Sequence, residues 1–334
     1  KGVMLTHANI VANTESICSY LNLTETDRQM VVLPFFYVMG KSLLNTHFAA
    51  GASIVLNNRF AYTASVLKQM EEESVTGFSG VPSTYAYLLH RSPLRNYRDR
   101  FQSLRYCSQA GGHMPRQIKE ELRKALPEHT DIYIMYGATE ASARLTYLPP
   151  SKFTEKIESI GIAIPGVTMR IVDENGNDLP AGETGELAGA GSNIMQGYWM
   201  DEDLSRKVLS RNGYHTGDLG YKDEDGFFYL VGRKDSMIKS GGHRINPQEV
   251  EDALIATGLL VEAAVVGIPD DMLGHRLAAF AVAIKDETTE AEILAECSLL
   301  LPKYKVPSEL RLIKSLPKKS SGKIDKGACS AMIA

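Results

Sequence analysis

Cysteine is sparse in this chain: four in 334 residues, at Cys18, Cys107, Cys297 and Cys329, with no CxxC pair. That scatter excludes a disulfide framework and reads as reduced, buried thiols of a reducing, cytoplasmic compartment. No apolar run reaches the roughly 18 residues a membrane-spanning helix needs. The opening stretch KGVMLTHANI has no hydrophobic signal region. It also lacks an initiating Met, so the chain is expected to be cut from a longer protein. Charge of one sign is not in large excess: 36 Lys and Arg stand against 40 Asp and Glu. The net charge of −4 gives no reason to expect nucleic acid or an anionic membrane as the main partner, although a local basic cluster such as Lys318-Lys319 could meet a phosphate. The eight histidines form no HExxH pattern and no metal-ligand spacing. There is no GxSxG and no GxxxxGK[ST], and Gly189-Ala190-Gly191 lacks the third glycine of a dinucleotide loop.

What remains is ordinary globular composition, 44% hydrophobic and 23% charged, long enough for two or three domains. Residues 6–22 predict an amphipathic helix that Thr6 can cap. From about 29 to 136, buried-strand runs at 30–33, 53–56, 104–107 and 132–135 alternate with helical patterns at 63–73, 82–91 and 115–126. Pro82 and Pro115 suit first-turn positions. Alternation of this kind predicts an α/β fold, a mostly parallel sheet covered by helices. Past Pro149-Pro150 the pattern changes. Asp173-Glu174-Asn175-Gly176 and Asp223-Glu224-Asp225-Gly226 are hairpin signals between β-rich runs. A small, β-barrel-like antiparallel subdomain is expected there. After Asp235, a helix near 247–256, strands at 261–268 and 276–284, a helix at 289–300 and a strand near 309–314 predict a C-terminal α+β domain. The expected organisation is 1–150, 151–232, a hinge at 233–235 and a lid domain at 236–334. The tail PKKSSGKIDK reads as a polar, flexible loop.

Polar landmarks sit at the ends of these elements. Ala110-Gly111-Gly112 follows a strand, where backbone can approach a flat ring or a phosphate closely. Alone it fits a plain strand-to-helix turn better. Tyr136-Gly137-Ala138-Thr139-Glu140 lies past another strand, at the end of a parallel sheet where ligands bind. Glu140 could hold Mg²⁺ and Thr139 a phosphate, although a lone Glu there more often caps a helix. Asp218, in Thr216-Gly217-Asp218, could accept hydrogen bonds from both hydroxyls of a ribose. Arg233, at the end of the following strand, could point at the same sugar. Each alone reads as a turn Asp and a surface Arg. Lys323 sits in the Ser/Gly tail. A lysine there could offset the repulsion between a carboxylate and the α-phosphate of ATP, though a solvated lysine is the default.

Taken together and in order, these motifs resemble the adenylate-forming (AMP-binding) superfamily, which includes acyl-CoA synthetases, peptide-synthetase adenylation domains and beetle luciferases. The resemblance covers nearly the whole chain. Lys1-Gly2-Val3-Met4-Leu5-Thr6-His7 looks like the end of the family's Ser/Thr/Gly-rich phosphate loop. Gly185-Glu186-Leu187 with Gly197-Tyr198-Trp199 matches another motif. Gly232-Arg233-Lys234-Asp235-Ser236-Met237-Ile238-Lys239 resembles the hinge region, and Gly241-Gly242-His243-Arg244-Ile245 the loop after it.

The resemblance implies that Thr139 and Glu140 bind phosphate and Mg²⁺. Gly111 and Gly112 would line the adenine and acyl region, with Tyr136 and Gly137 against the nucleotide. Asp218 and Arg233 would hold the ribose, and Arg244 would meet a phosphate in one domain orientation. Asp235 would be the hinge and Lys323 the adenylation lysine. After rotation of the C-terminal domain, Lys239, Gly241 and Gly242 would face the pantetheine channel. The implied reaction joins a carboxylic acid to ATP as an acyl-adenylate, releasing pyrophosphate, and then passes the acyl group to CoA. An acyl carrier protein's phosphopantetheine is the alternative acceptor. A non-catalytic nucleotide- or partner-binding fragment is the alternative of another class.

Two departures matter. The phosphate loop and the preceding subdomain are absent ahead of Lys1, so this fragment is not expected to turn over alone. In the acyl-pocket stretch Pro34–Gly40, Tyr37 stands where peptide-synthetase domains carry an Asp for the substrate's amine. No carboxylate lies between Pro34 and Asn45. An unpaired ammonium would be costly to desolvate there, so a plain carboxylic acid is expected.

Overall fold

The computed structural model describes residues 1–320 and 322–333; Ser321, in the tail motif, and Ala334 lie outside the described residues. The chain divides into two compact units. One comprises Lys1–Pro82, Pro93–His113 and Arg123–Val231. The other comprises Ser83–Ser92, Met114–Leu122 and Gly232–Ala334. Among the described residues no helix is long and apolar enough to cross a membrane.

The first unit is built on a seven-stranded sheet. Its spatial order is Ser53–Leu56, Arg28–Val31, Gly77–Gly80, Tyr106–Gln109, Asp131–Tyr136, Thr146–Leu148 and Ile162–Ala163. The first five strands are parallel, Thr146–Leu148 runs against them, and Ile162–Ala163 pairs antiparallel to Thr146–Leu148. The α/β alternation read from the sequence thus becomes a mostly parallel sheet whose strands are linked by helical crossovers. Thr6 caps the helix His7–Leu21 with a capping box: its Oγ1 accepts from the Asn9 amide, and the Asn9 side chain accepts from the Thr6 amide.

The helix Val38–Ala49, the strand Gly77–Gly80 and the short strand Thr146–Leu148 were not expected. The helix Val38–Ala49 has no side-chain cap and carries Gly40, Asn45, Thr46 and His47 in its body. Its buried Met39, Leu43 and His47 hold it by packing. The strand Gly77–Gly80 reads GFSG, a poor strand sequence, yet all four residues are buried. A Cβ on Gly77 would lie 2.5 Å from the Tyr106 hydroxyl and 2.6 Å from Gln29 Oε1. Glycine is therefore what lets the Tyr106 ring cross this strand and donate to Gln29 (2.8 Å). The strands expected at 30–33 and 104–107 are Arg28–Val31 and Tyr106–Gln109.

A second, antiparallel sheet follows. Its order is Leu209–Ser210, Gly213–Lys222, Gly185–Gly191 and Val167–Val172, with Phe228–Arg233 also paired to Gly213–Lys222. Its core holds Met169, Ile171, Leu187 and Phe228.

The second unit contains the antiparallel pair Leu260–Asp270 and Gly274–Ala283, with Glu309–Leu312 added in parallel. Helices Pro247–Ala256, Glu290–Leu300 and Lys326–Ala331 accompany this sheet. Its core includes Val261, Ala264, Val266, Phe280, Leu316 and Cys329. The tail differs from the open loop expected. Lys318 bridges Ile324 antiparallel, the Lys319 amide donates to the Lys323 carbonyl (2.8 Å), and a helix begins at Lys326.

Candidate active site

The sheet register explains why distant motifs meet. Gln109 pairs with Ile134 on the neighbouring parallel strand. Gly111 and Tyr136 each lie two residues further on, so both emerge at the same carboxyl edge, on strands about 4.8 Å apart. Gly111 is in the left-handed region (φ +87°), and the Gly112 carbonyl accepts from Gln109 Nε2 (2.8 Å). Tyr37 follows the carboxyl end of Arg28–Val31 and stacks at a tilt on the exposed Phe36, centroids 4.7 Å apart.

The Tyr136 hydroxyl donates to Asp218 Oδ2 at 2.6 Å. Burial, and then the adjacent carboxylate, push the phenol well above its ordinary pKa, so it stays a donor. Asp218 is oriented from below as well. Its amide donates to Thr216 Oγ1 (3.1 Å), and the Gly217 amide donates to Glu186 Oε1 (3.0 Å). Two motifs 82 residues apart are thereby joined by a side-chain hydrogen bond.

Thr139 and Glu140 lie in a short 3₁₀ turn, Thr139–Ala141, directly after this strand. The Cα of Glu140 can be no more than about 14 Å from that of Tyr136, four residues away. Glu140 Oε1 accepts from the Tyr198 hydroxyl (2.7 Å), and its carbonyl accepts from the Met195 amide (2.8 Å). Burial and the Glu140 carboxylate raise the Tyr198 pKa, keeping that proton in place. Lys1 Nζ stands 5.1 Å from the centre of the Tyr198 ring.

The chain turns sharply after Glu140. Ser142 (φ +57°) and Ala143 (φ +130°) both occupy backbone regions that cost a non-glycine residue. Buried amides hold them there. Asn193 Nδ2 donates to the carbonyls of Ala141 and Arg144 (both 3.0 Å), and the Ser142 hydroxyl donates to the Asn193 carbonyl (2.7 Å). Asn13 Nδ2 also donates to the Arg144 carbonyl (3.0 Å). The turn presses back on the strand end: a Cβ on Gly137 would sit 2.1 Å from the Ala143 carbonyl oxygen. Asn13, Asn193 and Tyr198 were not singled out as site residues from the sequence. Asn13 and Asn193 act on carbonyls 131 and 52 residues away, which no local pattern signals; Tyr198, 58 residues from Glu140, stands in the motif Gly197-Tyr198-Trp199, to which no site role was given.

Among the described residues no three His, Cys, Asp or Glu side chains cluster as a metal cage. Glu140 alone, with one oxygen fixed by Tyr198, fits an ion that takes its other ligands from water and phosphate, as Mg²⁺ does.

In the second unit, Arg233 Nε pairs with Asp235 Oδ1 at 3.1 Å. Lys239 and Arg244 face each other across a hairpin whose tip is Gly241 (φ +54°) and Gly242 (φ +81°). Positive φ at both positions is what a two-residue type I′ turn requires. Lys323 is exposed on the tail turn.

Residues 1–199 match the AMP-binding enzyme family, and residues 249–323 match its C-terminal domain. The chain belongs to the AMP-binding enzymes. It is 35% identical over 326 residues to a 2-succinylbenzoate–CoA ligase of Bacillus cereus, covering 97% of this chain and 66% of that protein. It is 35% identical over 331 residues to a long-chain-fatty-acid–CoA ligase of Bacillus subtilis, covering 97% of this chain and 58% of the other. A solved o-succinylbenzoate CoA synthetase from Bacillus subtilis, in complex with the acyl-adenylate OSB-AMP, superposes with a TM-score of 0.83. The sequences are 30% identical there, over 97% of this chain and 65% of that one. The chain thus spans just under two thirds, or less, of the length of these relatives.

Proposed function

We propose that the protein carrying this chain is an ATP-dependent acid–thiol ligase. The carboxylate oxygen of a carboxylic acid attacks the α-phosphorus of ATP, forming an acyl-adenylate as the bond to pyrophosphate breaks. A CoA thiol, losing its proton, then takes the acyl carbon and releases AMP. The observation that carries this reading is the Tyr136–Asp218 hydrogen bond, which ties the sugar-side carboxylate to the strand end that also leads to Glu140.

In this reading the Asp218 carboxylate accepts from the ribose hydroxyls, and Tyr136 holds it in orientation. Thr139 donates to a phosphate oxygen. Glu140, steadied by Tyr198, is the one protein carboxylate for Mg²⁺, which would neutralise phosphate charge when bound. Gly111 and Gly112 leave room for the nucleotide and acyl group, and Tyr37 borders the acyl pocket. Arg233 contributes to ribose binding, Arg244 to phosphate binding, and Lys323 offsets the charge that develops during adenylation. Asp235 is the hinge, and Lys239 with the Gly241-Gly242 turn serves the thioester step. The domain boundaries at 150 and 232 belong to the same proposal, as does a cytoplasmic setting, which four cysteines outside any disulfide support.

The relatives' named acids, 2-succinylbenzoate and long-chain fatty acids, differ too much to choose one for this chain. The test is pyrophosphate exchange in the full-length protein across aromatic, short-chain and long-chain acids, with and without Mg²⁺. Acid-dependent exchange is expected for at least one class. Exchange with none would overturn the reading. Supplying CoA or a holo carrier protein to the loaded enzyme then identifies the acceptor, and CoA is expected to discharge it.

A further inference from the structure

The turn that carries Lys323 is tied to its own unit by two ion pairs that the reaction does not require. Lys318 Nζ lies 2.9 Å from Glu262 Oε1, and Lys326 Nζ lies 2.5 Å from Glu251 Oε1. Both carboxylates are buried, at 5% and 6% exposure. Glu251 Oε1 also accepts from the Val265 amide at 2.7 Å, on the outer edge of the strand Leu260–Asp270. One lysine stands five residues before Lys323 and the other three after it.

Apolar contacts already seat the segment. Leu316 and Cys329 lie in the core of the unit, and Ile324 packs against it. A carboxylate beneath each stem is therefore not needed for burial. Burying a charge is costly, and apolar groups of the same volume would serve stability as well or better. What an ion pair adds is attraction to a fixed point: each ammonium stands within 3 Å of a carboxylate oxygen that burial keeps in place. Between the two pairs the turn is closed by its own backbone: Lys319 N–H to Lys323 O (2.8 Å), Gly322 N–H to Lys319 O (2.9 Å) and Asp325 N–H to Pro317 O (2.8 Å). The Ser83 hydroxyl donates to Gly322 O at 3.2 Å, and the Tyr87 ring faces Lys318 Nζ at 4.5 Å. A polar turn of this length would otherwise sample many conformers, and ordering each residue costs conformational entropy.

We propose that Lys318 and Lys326 are positioning residues, which through Glu262 and Glu251 clamp both stems of the turn and so set where the Lys323 ammonium can reach. The proposal rests on the reading of Lys323 as the adenylation lysine.

The test compares Lys326→Met, Lys318→Met, Lys326→Arg and Lys323→Ala in the full-length protein. Each is measured for acid-dependent adenylation and, separately, for thioester formation from supplied acyl-adenylate. Lys326→Met is expected to lower the adenylation kcat at least tenfold with little change in the KM for ATP, and to leave the thioester step within twofold. Lys326→Arg restores adenylation to within about threefold, since a guanidinium can still reach the carboxylate. Hydrogen exchange at the Lys319 and Gly322 amides accelerates in both Met variants, whatever the activity. If Lys323→Ala cripples adenylation while both Met variants leave it intact, the clamp is wrong and the reading of Lys323 survives. If Lys323→Ala has no effect, that reading fails first. Equal loss in both half-reactions, or unchanged amide exchange, reduces the pairs to general stability and overturns the proposal. Should Lys326→Met not fold, Lys318→Met with Glu262→Gln carries the same comparison from the other stem.

Discussion

Two loops carry residues to which the proposed reaction assigns a role, and they are held by opposite means. The segment Gly137–Arg144 is locked by neutral, buried hydrogen bonds from Asn13 and Asn193, in a backbone with two strained residues. The segment Lys318–Lys326 has no left-handed residue other than Gly322 among its described positions, and it is held by charges over buried carboxylates. Amide bonds to backbone carbonyls are short-ranged and fix one conformation. Ion pairs on long lysine side chains act at the stems and leave Lys323 exposed. A site that must hold a nucleotide in place suits the first means. A cation that has to be delivered suits the second.

The sharpest way to break this comparison is at the exposed tip. Lys323→Ala should lower adenylation by on the order of 10²–10³ while thioester formation from supplied acyl-adenylate persists, because one preorganised charge is lost from one transition state. Equal loss in both steps would make Lys323 a structural residue like those of the other loop.

The next effect lies in the locked loop. Asn193→Ala strands the buried Ala141 carbonyl and leaves that of Arg144 to Asn13 alone, and should cost about 2 kcal/mol. The check is the urea midpoint at unchanged m-value. A loss below about 0.5 kcal/mol, the usual range of surface substitutions, would mean that water replaces the amide and that the lock is not what holds Glu140. Tyr136→Phe should be milder. It removes one hydrogen bond to a half-buried carboxylate, worth about 1.5 kcal/mol, or roughly tenfold in affinity for AMP by calorimetry. Unchanged affinity would show that Thr216 and Gly217 orient Asp218 unaided.

The charged loop makes a prediction about pH that the neutral one does not. Burial raises the Glu251 carboxyl above its ordinary 4.5, and the Lys326 charge does not fully offset it. A folded pKa above the unfolded one favours the protonated native state. That contribution is complete below pH 4.5 and is lost as pH rises through the raised value. Glu251→Gln, which cannot titrate, should therefore show a flatter stability profile than the parent above pH 4.5. Lys326 and Asp252 are the charged neighbours that bear on Glu251. Parallel profiles would mean that Lys326 keeps the carboxylate ionised throughout.

How much of this was legible in the sequence follows the same division. The landmark residues stand at the ends of strands with strong β patterns, so Tyr136, Glu140 and the Gly111-Gly112 turn could be located from local signals. The helix Val38–Ala49 and the strand Gly77–Gly80 could not, since the first depends on buried His47 and Leu43 and the second on the space left for Tyr106. The locking residues were invisible for a related reason. Asn13 and Asn193 act on carbonyls 131 and 52 residues away, and an isolated Asn has no local signature of such a partner. The pairing of Lys318 and Lys326 was not foreseen, because nothing near them in sequence reveals that Glu262 and Glu251 are buried.

The smallest prediction tests whether the locked loop pays for its conformation. Ala143 is buried, with φ at +130°, a region where a Cβ is strained. Glycine adopts that region freely but loses more backbone entropy on folding. At this position the relief should outweigh the entropy, so Ala143→Gly should raise stability by about 0.5–1 kcal/mol, read as a higher urea midpoint. The effect on nucleotide binding should run the other way. With less to force the backbone through one path, the Glu140 turn gains alternative conformers, and affinity for ATP with Mg²⁺ should fall slightly as stability rises. If stability and affinity rise together, the strain is incidental to the site. If both fall, the missing methyl group matters more than the strained angle, and packing rather than backbone geometry sets this loop.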